Sequence, residues 1–94
     1  ARFDGAEALR LGLVHYCEST ENLDARLGEV IQQIRQCAPQ ANAQTKALLL
    51  ATETQTLGSL LDSAAEQFAA AVTGAEGVEG TMAFVQKRAP KWAQ

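Results

Sequence analysis

From Ser19 onward the large apolar residues recur at helical spacing, and one short stretch alone, Leu13 to Cys17, reads as a strand. Leu23, Leu27, Val30, Ile31 and Ile34 stand at i, i+4, i+7, i+8 and i+11, which predicts a helix from a Ser19 cap to about Cys37. Pro39 ends that helix and suits the first turn of the next, over about 40–54, with Ala43, Ala47, Leu48, Leu50 and Ala51 on its apolar side. A fourth helix, about 57–73, aligns Leu57, Leu60, Leu61, Ala64, Phe68 and Val72. Gly74, Gly77 and Gly80 are expected to loosen the chain before a last helix, about 76–88, that Pro90 stops. In it Val78, Met82 and Val85 share a face expected to meet a core. Ahead of Ser19, Asp4 and Glu7 form a capping-box pattern for a short first helix, and Gly12 stands where a left-handed cap would end it. The predicted fold is mostly α, four to five helices with one short N-terminal strand, Leu13 to Cys17. A lone strand needs a partner for its amides and carbonyls, and this sequence offers none. That mismatch, and a start at Ala1-Arg2-Phe3-Asp4 without an initiator Met, are what a fragment of a larger protein would look like.

Eight basic against eleven acidic residues leave a net charge of −3, with no basic stripe beyond Lys87, Arg88 and Lys91, so no nucleic acid is expected as a partner. No apolar run approaches the roughly 20 residues of a membrane span, and no secretory signal opens the chain, so neither a membrane nor export is expected and the location is cytoplasmic. Cys17 and Cys37 match no metal motif, so no metal site is expected, and both thiols read as small buried side chains in a reducing compartment. His15 has no nucleophile in a recognisable setting and reads as structural or exposed. Glu76 and Glu79, three apart, would bring two carboxylates near each other, but Glu76 also fits a first-turn residue favoured by the helix dipole. Gly58-Ser59-Leu60 distantly matches the Asp-Ser-Leu attachment motif of acyl carrier proteins, with Gly in place of Asp. Phe84 and Lys87 lie three apart in the last predicted helix, so ring and ammonium are neighbours suited to a flat, phosphate-bearing ligand. The plainer alternative is a packed ring beside a solvated charge. No set of residues here reads as a complete catalytic site.

Three motifs in order resemble the C-terminal part of the crotonase family, the enoyl-CoA hydratases and isomerases. Phe3-Asp4-Gly5-Ala6-Glu7-Ala8-Leu9-Arg10-Leu11-Gly12-Leu13-Val14-His15 is similar to that family's F-x-A-x-E-A-x-x-x-G-L-V signature. Leu23-Asp24-Ala25 opens the next helix in the family's manner, and Pro39 followed by Lys46-Ala47-Leu48-Leu49 resembles its P-x-A-x-x-x-x-K-x-L-L helix. Glu79-Gly80-Thr81-Met82-Ala83-Phe84-Val85-Gln86-Lys87-Arg88-Ala89-Pro90-Lys91-Trp92 is close to E-G-x-x-A-F-x-E-K-R-x-P-x-W. Gln86 departs from the usual Glu, at a surface position where no mechanistic effect is expected. Cys17 replaces an aliphatic residue, which fits a buried small side chain.

The resemblance implies that residues 1–18 are the last helix and strand of a crotonase core and 19–94 a C-terminal helical assembly domain. It places the oxyanion-hole amides and the acid/base carboxylates in a preceding part of the parent, so no catalytic residue is assigned here. By position it makes Phe84 and Lys87 CoA-binding, at the adenine and phosphate end. It implies a lyase-class parent of fatty acid metabolism with acyl-CoA as substrate, no covalently bound cofactor, and trimeric or hexameric self-association. The 94-residue chain itself is expected to be inert. The alternative is a free-standing helical interaction module without CoA chemistry, docking through Leu23, Leu27, Ile31 and Ile34 or through Leu57, Leu61, Phe68 and Val72.

Overall fold

The computed structural model describes residues 2–94 as helices α1 (Gly5–Arg10), α2 (Thr20–Gln36), α3 (Pro39–Ala51), α4 (Leu57–Thr73) and α5 (Ala75–Val85), followed by a 3-10 turn, Lys91–Ala93. The mostly α architecture is as the spacing of apolar residues requires. The chain divides into two compact units, one ending at Ile31 and the other running Gln32–Gln94. No helix among the described residues is long and apolar enough to cross a membrane.

In the first unit Asp4 caps α1, its side chain accepting from the Glu7 amide at 2.9 Å. The expected capping box is only half made: the Glu7 carboxylate turns to Arg10 instead, at 2.6 and 2.7 Å. Gly12, at φ +74°, ends the helix with paired bonds from the Gly12 amide to Leu9 O (3.0 Å) and from the Leu13 amide to Ala8 O (2.9 Å). The strand expected at Leu13 to Cys17 does not form. Among the described residues no segment pairs with it, and an isolated five-residue strand has nothing to satisfy its ladder. Arg26 of α2 anchors this stretch instead, with Nε on Glu18 at 2.8 Å and the guanidinium 5.2 Å from the Tyr16 ring centre. Arg26 also reaches Glu29 at 2.6 Å. Cys17 and Cys37 are both exposed, not buried as expected. Cys17 loses the cover that a partner strand would bring.

In the second unit α4 packs against both α3 and α5. The α3 helix ends at Ala51, three residues short of expectation, where the Thr52 hydroxyl donates to the Leu49 carbonyl at 2.6 Å. Pro39 stands in the first turn of α3, and its Ala38 cap has no side-chain acceptor. Glu76 of α5 serves in its place, its Oε2 accepting from the Gln40 amide at 2.9 Å.

The glycines expected to loosen the chain tighten it. Gly74 is at once the C-cap of α4 and the N-cap of α5. A Cβ on Gly77 would collide with the carbonyl oxygens of Ala71 and Val72, and one on Gly80 would lie 3.2 Å from the Trp92 ring. Gly77, Gly80 and Ala83, spaced by three, therefore form the inner face of α5, and Ala83 is its buried residue. Val78, Met82 and Val85, expected to face a core, are exposed. Small residues win that face because they let two helix backbones approach, which larger side chains prevent.

Candidate functional site

The site is the reversal where α5 gives way to the C-terminal tail. Gln86 caps α5, its amide donating to Met82 O. The Lys87 amide then donates to Phe84 O at 3.2 Å and the Arg88 amide to Ala83 O at 3.0 Å. This is the same pair of bonds that closes α1 at Gly12, with Lys87 in the glycine position at φ +52°. A left-handed conformation costs an L-residue about 1 kcal/mol, so the surroundings must hold Lys87 there. Lys87 thus lies beyond the helix, which corrects the expected helix over 76–88 and the helical pairing of Lys87 with Phe84. The two residues meet through a backbone bond and sit on one turn.

Phe84 is 84% exposed, extreme for an aromatic ring in a folded helix. The ring stands bare, and the Lys87 ammonium follows it on the next turn. The left-handed turn that carries Lys87 is a geometry that the spacing alone did not give.

Glu79 holds the reversal from beneath. Its carboxylate accepts from Arg88 at 2.7 and 3.1 Å and from the Lys91 amide at 3.0 Å. The Arg88 guanidinium, and after it the Lys91 amide, draws the Glu79 carboxyl down from 4.5 to about 2. Gln86 joins in, its Oε1 accepting from Arg88 Nε at 2.7 Å, so this departure from the family motif touches the turn itself. Past the turn, Trp92 donates from its indole to Gln36 O, the open end of α2, at 3.1 Å. Glu76 and Glu79 do not form a carboxylate pair: one serves α3, the other the tail. The Glu79–Arg88 contact escaped sequence reasoning because its partners are nine apart across a helix end. The one available signal was that Glu79 opens the closing motif, where the spacing set it only beside Glu76.

A cleft of about 460 Å³ in this unit lies between Gln40, Gln44, Ala71, Glu76, Thr81 and Trp92, and neither Phe84 nor Lys87 lines it. In the first unit, His15 is exposed and joins Tyr16, Leu23, Arg26, Leu27 and Val30 around an open apolar hollow.

The family model described as enoyl-CoA hydratase/isomerase matches residues 1–94, the whole chain. Among solved structures, AtuE of Pseudomonas aeruginosa superposes with a TM-score of 0.95 at 68% identity, covering 100% of this chain and 37% of that one. An enoyl-CoA hydratase/isomerase from Marinobacter aquaeolei gives 0.92 at 53% identity, covering 100% of this chain and 36% of its own. A carnitinyl-CoA dehydratase of Citrobacter koseri is 30% identical over 95 residues, 97% of this chain and 36% of that protein. The chain spans little more than a third of the length of these relatives. With its helices, its closing motif and its full length all matched, this chain belongs to the enoyl-CoA hydratase/isomerase family.

Proposed function

We propose that this chain is the C-terminal part of an enoyl-CoA hydratase/isomerase-like protein that acts on acyl-CoA thioesters in the cytoplasm. In this reading residues 1–18 complete a core and 19–94 form an assembly domain through which the parent builds a trimer or hexamer. Phe84 and Lys87 hold the adenine and phosphate end of CoA. The observation that carries the reading is the bare Phe84 ring one turn from a Lys held in a left-handed cap. Stacking a base on an aromatic face contributes about 1–3 kcal/mol, and an ammonium on a phosphate adds a charge-assisted bond. The oxyanion amides and acid/base carboxylates belong to the preceding part of the parent, so the chain alone binds and does not turn over. Two free, exposed thiols fit a reducing compartment.

The test is a titration of isotope-labelled chain with CoA, read by backbone amide shifts. Saturable shifts centred on Phe84 to Arg88 are expected. No shift at these amides up to millimolar CoA would overturn the contact.

A further inference from the structure

We infer that Glu79 is a positioning residue for this contact: its carboxylate, shared between Arg88 and the Lys91 amide, keeps the reversal closed and so keeps Lys87 beside Phe84. The inference takes its ligand from the reading above, and its geometry stands independently of it.

Two caps of identical bonding make the argument. At Gly12 the backbone bonds suffice, because glycine meets no steric penalty at φ +74°. At Lys87 the same two bonds work against the side chain's own preference. The structure adds what Gly12 lacks. Arg88, the residue after Lys87, is drawn back along α5 by a two-pronged bond to Glu79, at 2.7 and 3.1 Å. The same Glu79 Oε1 takes the Lys91 amide at 3.0 Å, so both ends of the 88–91 stretch close on one carboxylate. Gln86 occupies the remaining edge of the guanidinium at 2.7 Å, which leaves Arg88 one orientation. Arg88 is thereby spent on the turn, and the Lys87 ammonium has no ion-pair partner among the salt bridges of the described residues. The charge one position away is left to a ligand.

The experiment compares Glu79→Ala, Glu79→Gln and Lys87→Gly in the labelled chain by two readouts. One is the state of the turn: the Lys87 Cβ and amide shifts and the exchange rate of the Arg88 amide. The other is CoA affinity at low and at physiological salt. Removing Glu79 is expected to move the Lys87 shifts away from left-handed values, to speed Arg88 exchange about tenfold, and to weaken CoA about tenfold. The salt sensitivity of binding should fall as it does in Lys87→Gly, which keeps the turn and loses the charge. Glu79→Gln retains an acceptor for the Lys91 amide, so it should fall between, and it decides the matter where Glu79→Ala fails to fold. Unchanged Lys87 shifts and Arg88 exchange in both Glu79 variants would overturn the inference. If wild-type chain ignores CoA while the Glu79 variants still open the turn, the coenzyme reading fails and the hold survives it.

Discussion

Gly12 and Lys87 occupy the same position in the same cap, yet one is free to be there and the other is held. That difference gives Glu79 a measurable signature in acid. Its folded pKa, about 2, lies below the ordinary 4.5 because Arg88 and then the Lys91 amide favour the carboxylate. Its contribution is therefore complete above pH 4.5 and is lost as pH falls from there through about 2. The groups facing it are Arg88 and Lys91. We expect the signals of the Lys91 amide and of the Arg88 Nη–H groups to change near the lower value, and this step to vanish in Glu79→Gln. A midpoint near 4.5 for both signals would count against the fork. The residues of the site were half legible. Phe84 and Lys87 stood out as a ring and a cation three apart. The left-handed turn did not, because lysine is a poor signal for a conformation that glycine usually marks, and Glu79 is tied to a residue beyond the helix it sits on.

At the scale of elements, helix ends were easier to read than helix faces. Asp4, Gly12 and Pro39 act where the chain begins or ends a helix, each through a local bond or ring constraint. The inner face of α5 runs against apolar size as a sign of burial. Gly77, Gly80 and Ala83 go inside since the α4–α5 corner turns on the single residue Gly74 and leaves no room for larger groups. The strand at Leu13 to Cys17 fails for a related reason: among the described residues its propensity has no partner to pair with. Gly77→Ala is expected to destabilise the chain by about 1–3 kcal/mol, although alanine is the better helix former. Gly28→Ala is the control, because nothing lies within 4 Å of a Cβ there, and it should stabilise α2 by up to about 1 kcal/mol. Urea midpoints measure both. A raised midpoint for Gly77→Ala would show that the corner is not tight.

Taken as a whole molecule, the chain keeps a single residue, Ala83, buried among its described residues. On α4, Leu57, Leu61, Phe68 and Val72 are 50–71% exposed, and Leu49 and Leu50 of α3 are no better covered. In the first unit Leu23, Leu27 and Ile31 are exposed as well. Faces of this kind normally meet another surface, which agrees with a chain that spans about a third of its relatives' length. The isolated chain is expected to self-associate through these faces, with an apparent mass in light scattering that rises with concentration. A strict monomer at high concentration would argue that the apolar faces are tolerated bare. Which partner covers them could not be read from the sequence, since an apolar stripe states that a face is buried and says nothing of what buries it.

Trp92 offers a practical consequence. It is the sole tryptophan of the chain, its ring lies against Gly80, and its indole seals the last carbonyl of α2. It is also the residue directly after Lys91, whose amide closes the Glu79 hold. Its emission colour is thus a built-in optical gauge of whether the tail is seated. The state of the Lys87 turn can be followed in an unlabelled sample, one fluorescence spectrum at a time.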